Sequence, residues 1–413
     1  MRVPEAGSGR RKPGPTTRGS FRWCIKFSSE RIEVQRGKPT NRLLDSYIGI
    51  PILNLLTLLR RRRPYPNQIN NVGIFVNPAL GDTLLASAAV RDIRRIFPST
   101  TLIFFSGRSN LAAAKLLPDI DLLEEIPITR PWQAIRILRK SKLDLLLDFT
   151  SWQRLTALLS YFSRAKYTIG FRRRGQFRHR GYDLAVSHLG SCHEIENMRR
   201  MTEVLGVTEH CAPQLRGLPD SQSSMLPDLK SMVVFHPWAS GALRTFREWP
   251  EDRWVELARR LHTRERTFLL TGGPGDIDRC RDLQQRLKDA GIPADILIGR
   301  QGLEEIASRL KMAEMLISVN TGIMHLGAIL GVPTVALNGP NSEHRWGPVG
   351  PRVANVQTSD GSGGFLDLGF EFQGRNVMHK ISIDSVVEAV QKVTVSDCRF
   401  NSLVESRDGQ SYK

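Results

Sequence analysis

From Asn71 onward, short apolar runs alternate with stretches whose apolar residues recur at helical spacing, and this alternation predicts the order of strands and helices. The run at residues 72–76 suits a strand that is buried on both faces of a parallel sheet. A turn follows, and Asp82 is the predicted cap of a helix that continues to about Phe97. Further strands are expected at 102–105, 143–149 and 167–170, and a helix at 194–205.

The alternation stops over residues 211–228, which are rich in Pro, Ser, Gln and Asp and show no periodicity. It then restarts, with predicted strands at 232–235, 268–270, 296–298, 315–319 and 334–337 and predicted helices at 251–261, 277–287, 303–312, 323–330 and 383–393. Two such series predict an α/β protein of two doubly wound, Rossmann-like domains that face a cleft. The expected order is a basic tail (1–70), an N-terminal domain (71–215), a linker (216–230), a C-terminal domain (231–395) and a second tail (396–413).

The 413 residues carry a formal net charge of +18, which calls for an anionic partner or surface. The excess is concentrated at the start, because residues 1–63 hold fifteen Lys and Arg against four Asp and Glu, a net +11. A nucleic-acid-binding protein is the alternative that this charge raises. The predicted domains contain no recognisable DNA- or RNA-binding module, so we expect no nucleic acid partner.

Residues 43–59 form an apolar stretch that is followed at once by four arginines, Arg60 to Arg63. The stretch is too short and too polar to span a bilayer, which needs about 20 apolar residues. Helical spacing predicts one apolar face, made of Ile48, Ile52, Leu55, Leu56 and Leu59. Such a face beside arginines is typical of a helix that lies on an anionic cytoplasmic leaflet, so we predict peripheral membrane contact through residues 43–63. The alternative is a helix packed on the protein's own domain, with solvated arginines.

The cysteine pattern indicates a reducing compartment. The five cysteines are odd in number and form no CxxC pair, which argues against a disulfide framework or a cysteine-rich zinc site. Residues 1–40 contain no apolar stretch of the kind a signal peptide has, although an Arg-rich transit peptide remains an alternative to a disordered leader. We therefore expect a cytoplasmic protein.

The first candidate for chemistry is the loop at residues 77–83, which follows the first strand where a ligand is expected in such a fold. Gly81 allows close approach of another backbone or a ligand. The carboxylate of Asp82 could accept a proton from a substrate hydroxyl. The alternative is that Asp82 merely caps its helix.

The second candidate is a strand end that leads into a helix at Asn320, Thr321 and Gly322, with His325 one turn later. Free backbone N–H groups and the helix dipole make this turn a natural site for a diphosphate. His325 is placed where it could face the same phosphates. The alternative is a purely structural helix start.

Two other strand ends supply further candidates for diphosphate contact, namely Ser240, Arg244, Arg247 and Gly273. An arginine suits the task because its guanidinium presents a fork of donors. The glycine-rich turn at 271–276 matches neither GxGxxG nor the Walker A pattern, so dinucleotide and P-loop chemistry are unsupported.

Metal and nucleophile signals are weak. The segment His193 to Asn197 begins like HExxH but ends in Asn where a second His is needed, and no G-x-S-x-G elbow is present. D-x-D triplets begin at Asp119 and Asp276; they could bind a divalent metal, but Asp276 also suits a helix cap.

A basic cluster in the N-terminal half contains Arg172, Arg173 and Arg174, and Arg178, His179 and Arg180 follow it. It is a candidate site for an anionic, phosphorylated acceptor. The alternative is a solvated loop.

In this order, the motifs resemble glycosyltransferase family 9, the ADP-heptose:lipopolysaccharide heptosyltransferases, over roughly residues 71–393. The matching segments are Ala79-Leu80-Gly81-Asp82, His236-Pro237-Trp238-Ala239-Ser240, Trp249-Pro250-Glu251-Asp252-Arg253-Trp254, Gly272-Gly273-Pro274-Gly275-Asp276 and Asn320-Thr321-Gly322-Ile323-Met324-His325-Leu326-Gly327. Gly331-Val332-Pro333-Thr334 and Asn338-Gly339-Pro340 follow.

The resemblance implies a GT-B fold with the acceptor on the N-terminal domain and the nucleotide-sugar donor on the C-terminal one. It implies an inverting transfer with no tightly bound metal and no cofactor, and it assigns Asp82 as the general base. Two positions depart from the family pattern: Asn320 replaces the usual Asp, and Arg247 replaces the usual Lys. The first departure bears on the identity of the sugar.

We therefore expect an inverting glycosyltransferase peripheral to the inner face of the cytoplasmic membrane. Its expected donor is ADP-heptose by default, and its acceptor a lipid-linked or lipopolysaccharide-type glycan. The alternative is a catalytically silent relative that only binds glycan or nucleotide sugar. This alternative arises because Asn320 stands where the family usually has Asp.

Overall fold

The computed structural model describes residues 47–59, 63–77, 79–217, 231–241, 244–298, 302–365 and 376–405. These residues form two six-stranded parallel sheets, ordered β3-β2-β1-β4-β5-β6 and β12-β11-β10-β7-β8-β9. The prediction of two doubly wound, Rossmann-like halves is therefore confirmed. Most of the predicted tail (1–70) and linker (216–230) lie outside the described residues.

The first half begins with a helix that precedes its sheet. Its helices are α1 (Gly49–Leu59), α2 (Leu80–Ile96), α3 (Leu111–Ala114), α4 (Pro131–Lys140), α5 (Arg154–Phe162) and α6 (Glu194–Glu203). Its strands are β1 (Asn71–Val76), β2 (Thr101–Ser106), β3 (Leu122–Glu125), β4 (Leu145–Asp148), β5 (Tyr167–Arg172) and β6 (Leu184–Ser187). The sequence prediction did not include β3, β6, α3, α4 or α5.

The second half repeats the alternation. Its strands are β7 (Met232–His236), β8 (Thr267–Gly272), β9 (Ala294–Ile298), β10 (Met315–Val319), β11 (Thr334–Leu337) and β12 (Val353–Val356). Its helices are α7 (Glu251–Leu261), α8 (Ile277–Asp289), α9 (Leu303–Lys311), α10 (Gly322–Ile329), α11 (Glu343–Trp346) and α12 (Ile383–Glu405). The predicted strands and helices of this half are confirmed to within two residues, except that α12 continues to Glu405, twelve residues past its predicted end and into the predicted tail (396–413).

Both sheets are buried on both faces, which explains why their strands read as continuous apolar runs. In β1, Val72 and Ile74 point into one core with α2 and α6, whereas Phe75 points into another with α4 and α5. In β7, Val233 and Val234 likewise enter two different cores. Side chains alternate between faces along each strand, so each sheet holds a core on either side.

Helix α1 packs on the first half through a face that the apolar spacing did not predict. Leu53 is fully buried against Ala157 and Tyr182, whereas Ile48 and Leu55 of the predicted stripe are 48% and 60% exposed. Asn54 accepts a hydrogen bond from Arg180. The alternative of packing on the protein's own domain is thus realised, yet part of the predicted apolar stripe stays open to solvent.

The structure contradicts two details of the sequence analysis, namely the solvated arginines of the alternative reading and the predicted capping role of Asp82. Arg63 is not simply solvated, because its guanidinium binds both carboxylate oxygens of Asp183 at 3.1 and 2.8 Å and also the Ala165 carbonyl. Asp82 does not cap its helix, because α2 begins at Leu80 after an extended Ala79, and Asp82 lies within the first turn. Within the described ranges, no helix combines the length and apolar character needed to cross a bilayer.

Candidate functional site

The predicted site residues follow strands that are neighbours in their sheets. Asp82 follows β1, which pairs with β4, and the basic cluster at 172–174 begins at the end of β5, next to β4. In the other sheet, Asn320 follows β10, Ser240 follows β7 and Gly273 follows β8, and these three strands are adjacent. Because the carboxyl ends of parallel strands share one edge, each half gathers its candidates at one edge.

The two halves meet at the starts of helices α2 and α10. A Cβ atom built on Gly81 would lie 2.9 Å from Cδ2 of His325, and one built on Gly322 would lie 2.3 Å from Cδ2 of Leu80. Both distances are shorter than real Cβ contacts allow, so glycine is required at each position. The structure thus brings the loop that carries Asp82 against the loop that carries the predicted diphosphate site.

Asp82 is half-buried in the first turn of α2. A carboxylate in this position is stabilised by the positive end of the helix dipole. The backbone around it is fixed by Thr83, whose hydroxyl donates to the Ala79 carbonyl at 2.9 Å and accepts from Asn110 at 2.7 Å. Asp82 is therefore held on a rigid helix start at the carboxyl edge of β1.

The first turn of α10 has the features of an anion site. Thr321 precedes the helix in extended conformation, and no side chain caps the turn. No acidic residue lies in this turn, so its free N–H groups and the helix dipole are not offset by a carboxylate of α10 itself. The hydroxyl of Thr321 is buried without a hydrogen-bond partner among the described residues.

His325 is uncharged at neutral pH. Burial lowers the pKa of its imidazole to about 3, and the nearby His193 lowers it further in the same direction. Its Nδ1 atom has no hydrogen-bond partner in the part of the chain that the structure describes. The sequence prediction placed His325 correctly at the helix start, but a neutral ring offers one hydrogen bond rather than a positive charge.

Asn320 is oriented by the protein. Its side-chain NH2 donates to Asn338 Oδ1 at 2.7 Å and to the Trp346 carbonyl at 3.0 Å. Because a backbone carbonyl can only accept, it fixes which way the amide of Asn320 points. Asn338 is held in turn by its own bond to Asn355 Oδ1 at 2.8 Å. Both N–H groups of Asn320 are used, so its oxygen is the atom it can offer to a ligand.

A hydrogen bond and an ion pair hold the loop after β7 in place. The amide N–H of Ala239 donates to Glu248 Oε1 at 3.1 Å, and Arg279 binds the same carboxylate at 3.1 and 2.7 Å. Ser240 is exposed, and its carbonyl accepts a hydrogen bond from the guanidinium of half-buried Arg247. The loop therefore holds Arg247 close to the strand end.

The remaining donor-side candidates differ in burial. Arg244 is exposed at the start of the 3-10 turn Arg244–Arg247. The N–H of Gly273 donates to Asp276 Oδ2 at 3.0 Å, so that amide is already occupied. The structure therefore leaves Gly273 fewer ways to contact a ligand than the sequence suggested.

The basic cluster at the end of β5 divides into different roles. Arg172 and Arg174 are exposed, and the guanidinium of Arg173 stacks 3.8 Å over the ring of Trp152. Arg178 is instead fully buried and pairs with Asp148 at 3.1 Å. Arg172 and Arg174 are therefore the exposed arginines of the predicted acceptor cluster, whereas Arg173 is packed against Trp152 and Arg178 is buried.

A buried contact between the halves escaped the sequence analysis. Arg345 of α11 binds the carboxylate of Glu194 and donates to the Cys192 carbonyl at 2.6 Å, while His188 lies 3.1 Å from the same carboxylate. Burial alone would raise the pKa of Glu194, but His188 and Arg345 outweigh burial and lower that pKa to about 2. The adjacent Trp346 supplies the carbonyl that orients Asn320, so this contact joins the second half of the site to the first half.

The segment at 193–197 is part of this contact. His193 caps α6 by accepting the N–H of Ile195 at 3.2 Å, and its Nε2–H donates to the Gly347 carbonyl at 2.9 Å. The rejection of a zincin site agrees with these structural roles. Across the described ranges, no group of three or more His, Cys, Asp or Glu is arranged to hold a metal ion.

The sequence model described as "Glycosyltransferase family 9 (heptosyltransferase)" matches residues 132–362, more than half of the chain. Lipopolysaccharide core heptosyltransferase OpsX of Haemophilus influenzae is 22% identical over 342 residues, which cover 76% of this chain and 94% of OpsX.

Solved structures share the fold. A family 9 glycosyltransferase from Veillonella parvula aligns with a TM-score of 0.68 and 19% identity over 79% of this chain and 98% of its own. The Escherichia coli heptosyltransferase WaaC, solved with ADP, aligns with a TM-score of 0.64 and 18% identity over 78% of this chain and 99% of its own. The arrangement of two facing Rossmann-like halves is therefore the GT-B fold. The chain belongs to glycosyltransferase family 9, the heptosyltransferase family, and is a glycosyltransferase, as its motifs predicted.

Proposed function

We propose that this enzyme transfers heptose from ADP-heptose to a lipopolysaccharide-core or related surface-glycan acceptor, with inversion at the anomeric carbon. The observation that carries the proposal is the close approach of Gly81 to His325, which sets a carboxylate-bearing helix start against an anion-binding one. The names of the relatives support this choice of donor and acceptor, since OpsX is a lipopolysaccharide core heptosyltransferase and WaaC was solved with ADP.

In the proposed reaction, an acceptor hydroxyl oxygen attacks the anomeric carbon of the bound sugar. Asp82 accepts the hydroxyl proton as the new C–O bond forms. The bond between the anomeric carbon and the diphosphate oxygen breaks, and the diphosphate leaves with the electron pair. Every atom is then accounted for in the glycosylated acceptor, the nucleoside diphosphate and one proton on Asp82.

The leaving diphosphate gains negative charge, and the second half of the site offers fixed donors to receive it. The N–H groups of the first turn of α10, beginning at Thr321 and Gly322, supply hydrogen bonds and the helix dipole. Arg247 supplies the positive charge, with Arg244 as a more exposed second. His325 contributes a single hydrogen bond from a neutral ring. We propose that these donors act in place of a tightly bound cation.

The replacement of the usual Asp by Asn320 affects which groups of the sugar the site can bind. The Asp usual in the family would place a carboxylate against the Trp346 carbonyl, whereas the amide of Asn320 donates to that carbonyl at 3.0 Å. The oxygen that remains can accept a hydrogen bond from a sugar hydroxyl, as a carboxylate would, but carries no charge. The change thus keeps an acceptor for a hydroxyl and removes the ability to hold a cationic or proton-sharing group.

For the acceptor, we propose that Arg172, Arg173 and Arg174 contact an anionic, phosphorylated glycan at the edge of the first sheet. A lipid-linked acceptor would be presented at the inner face of the cytoplasmic membrane. The exposed Ile48 just before α1, at 48%, and Leu55 of α1, at 60%, support peripheral contact of residues 43–63 with an anionic leaflet. Residues 43–46 and 60–62 of this predicted segment lie outside the described residues.

A thermal-shift series with nucleotide sugars tests the donor, followed by a transfer assay with and without EDTA. ADP-heptose at 100 times its Kd should stabilise the folded state by about 2.7 kcal/mol, because a ligand of the native state adds RT ln(1 + [L]/Kd). Stabilisation by another nucleotide sugar, with none from ADP-heptose, would overturn the donor. Binding without transfer or donor hydrolysis would favour the catalytically silent alternative. Loss of activity in EDTA with recovery in Mg²⁺ would contradict catalysis by fixed donors alone.

A further inference from the structure

Helix α4 exposes a tryptophan that the reaction does not use. Trp132, the second residue of the helix, is 84% exposed, although Ala134, Ile135 and Leu138 on the inner face are buried. Trp132 is the most exposed of the large apolar residues described in the chain. Hiding such a ring from water would be favourable, and a tryptophan with one apolar part and one polar N–H suits an interface that is apolar on one side and wet on the other.

Helix α4 and the loop before it are basic, whereas two exposed acidic residues, Glu124 and Glu125, end the preceding strand β3. Residues 126–143 contain five Lys and Arg and no Asp or Glu. Arg130 precedes the helix, and Arg136 and Lys140 follow Trp132 at intervals of four, which puts all three helical residues on one stripe. Arg130, Arg136 and Lys140 are exposed. The stripe therefore combines one amphipathic ring with several positive charges.

Helices α4 and α1 lie on the same face of the first sheet. The inner residues of α4 share a core with Leu159 of α5, and Leu53 of α1 packs on Ala157 of that same helix α5. The exposed apolar residues of α4 and of the start of α1 also lie at the same end of the sheet. A Cβ built on Gly49 would lie 3.2 Å from Cβ of Arg154, the first residue of α5, so α1 begins where α5 begins.

That end is the carboxyl edge of the sheet, where the cleft lies. Helices of a βαβ unit start where the preceding strand ends, so the starts of α4 and α5 both lie at this edge. Trp132, together with Tyr47 and Ile48 just before α1, thus lies at the same edge of the sheet as the candidate acceptor cluster; Tyr47 is 76% exposed. A surface that contacts this edge would face the entrance to the site.

We propose that Trp132, Arg130, Arg136 and Lys140 form a docking surface for a bilayer with anionic headgroups, which acts together with the start of α1. The inference deepens the proposed function, because it rests on an acceptor that is held in a membrane. A lipid surface fits this chemistry: tryptophan rings settle at the level of the headgroups, and the basic side chains pair with anionic lipids. Docking here would turn the cleft rim toward the leaflet that holds the acceptor.

Co-sedimentation of the full chain with vesicles tests the surface. Vesicles of phosphatidylglycerol and phosphatidylcholine are compared with phosphatidylcholine alone, for the wild type and for Trp132→Ala and the double variant Arg136→Glu/Lys140→Glu. The matched controls are Val204→Ala and Arg95→Glu, exposed positions that follow α6 and end α2 on the opposite face of the sheet.

Binding to the anionic vesicles should weaken at least fivefold in Trp132→Ala and more than tenfold in the double variant, since each basic residue near an anionic surface contributes about a factor of five. The controls should bind like the wild type. Unchanged circular dichroism and melting temperature would show that the exposed substitutions leave the fold intact.

Wild-type binding by both α4 variants would overturn the proposal, as would equal binding of the wild type to both kinds of vesicle. Ile48→Asp separates this proposal from the membrane contact proposed for α1. If Ile48→Asp releases the protein and the α4 variants do not, docking through α1 stands and the surface on α4 fails. No readout involves the donor sugar, so an error in the proposed reaction would leave this result intact.

Discussion

The starts of α2 and α10 occupy comparable places in the two halves, yet they differ in charge. Each follows a central strand of its sheet, and neither has a side-chain cap. Helix α2 carries Asp82 in its first turn, whereas the first turn of α10 has no acidic residue. The carboxylate of Asp82 offsets the helix dipole at the start of α2, whereas no acidic residue in the first turn of α10 offsets the dipole there. This is the difference in charge that the proposed proton transfer and the proposed anion binding require.

The largest expected effect comes from neutralising the first of these helix starts. Asp82→Asn keeps the shape of the side chain and removes its ability to accept a proton, so transfer should fall by ~10²–10⁴. The melting temperature should change little, because Asp82 is not the residue that caps α2. Steady-state kinetics and calorimetry measure the two quantities.

Glu305→Gln is the matched control for this change, since Glu305 also lies in the first turn of a helix, α9, and has no role in the proposed reaction. It should leave turnover unaffected. Near-normal turnover in Asp82→Asn would show that the carboxylate only stabilises the helix dipole and does not accept the proton. The two helix starts would then not differ in function as proposed.

The anion-binding side is tested through Arg247. Arg247→Ala should weaken ADP binding by about 1.5–3 kcal/mol, the usual cost of losing a hydrogen bond to a charged group. Arg244→Ala should cost less, because its side chain is exposed while Arg247 is half-buried. Titration calorimetry with ADP compares them. Arg247→Lys would retain affinity if charge alone matters and lose it if the forked guanidinium matters.

The contact between the two helix starts is tested by Gly322→Ala. The new Cβ would lie 2.3 Å from Leu80, so the halves must shift apart, at a cost of about 1–3 kcal/mol for an overpacked contact. The free energy of unfolding and the rate of transfer should both fall. Gly190→Ala, where a Cβ meets nothing within 4 Å, should change neither quantity. Equal behaviour of the two variants would show that the two helix starts are not held together.

The smallest expected effect is the change in the free energy of unfolding, per pH unit, that each buried histidine contributes. Burial lowers the pKa of His236 to about 4 and of His325 to about 3, so between pH 6.5 and 4 the unfolded chain binds protons that the folded chain does not. Stability should therefore fall as the pH falls from 6.5, by up to roughly 1.4 kcal/mol per pH unit for each histidine. Urea unfolding at pH 7, 6 and 5 measures the slope.

His325→Gln should remove its share of that slope and leave the shares of His236 and of His179, His188 and His193, whose pKa values burial also lowers. The lowered pKa of Glu194 does not interfere over this range, because its contribution is fully present above pH 4.5 and is lost only as the pH falls toward 2. An unchanged slope in His325→Gln would mean that the imidazole is charged, and a charged His325 could then neutralise the diphosphate directly.

The side chains that depend on partners far along the chain escaped the sequence analysis. Arg63 looked like one of four solvated arginines, but Asp183, 120 residues away, holds it on the first half. Arg178 looked like part of an acceptor cluster, but it is buried beside Asp148. The pairing of Arg345 with Glu194 spans 151 positions and has no local signature at all. Ion pairs of this kind are chosen by packing, which spacing along the chain does not record.

By itself, the sequence determined the alternation of strands and helices, the two-sheet architecture, the family and the strand ends at which chemistry is expected. Apolar periodicity and turn residues act within a few positions, so they can be read locally. Tertiary structure alone decided that Gly81 meets His325, that His325 is neutral and that the NH2 group of Asn320 is bound by Asn338 and the Trp346 carbonyl. These properties depend on desolvation and hydrogen bonding by residues that only the folded chain brings together.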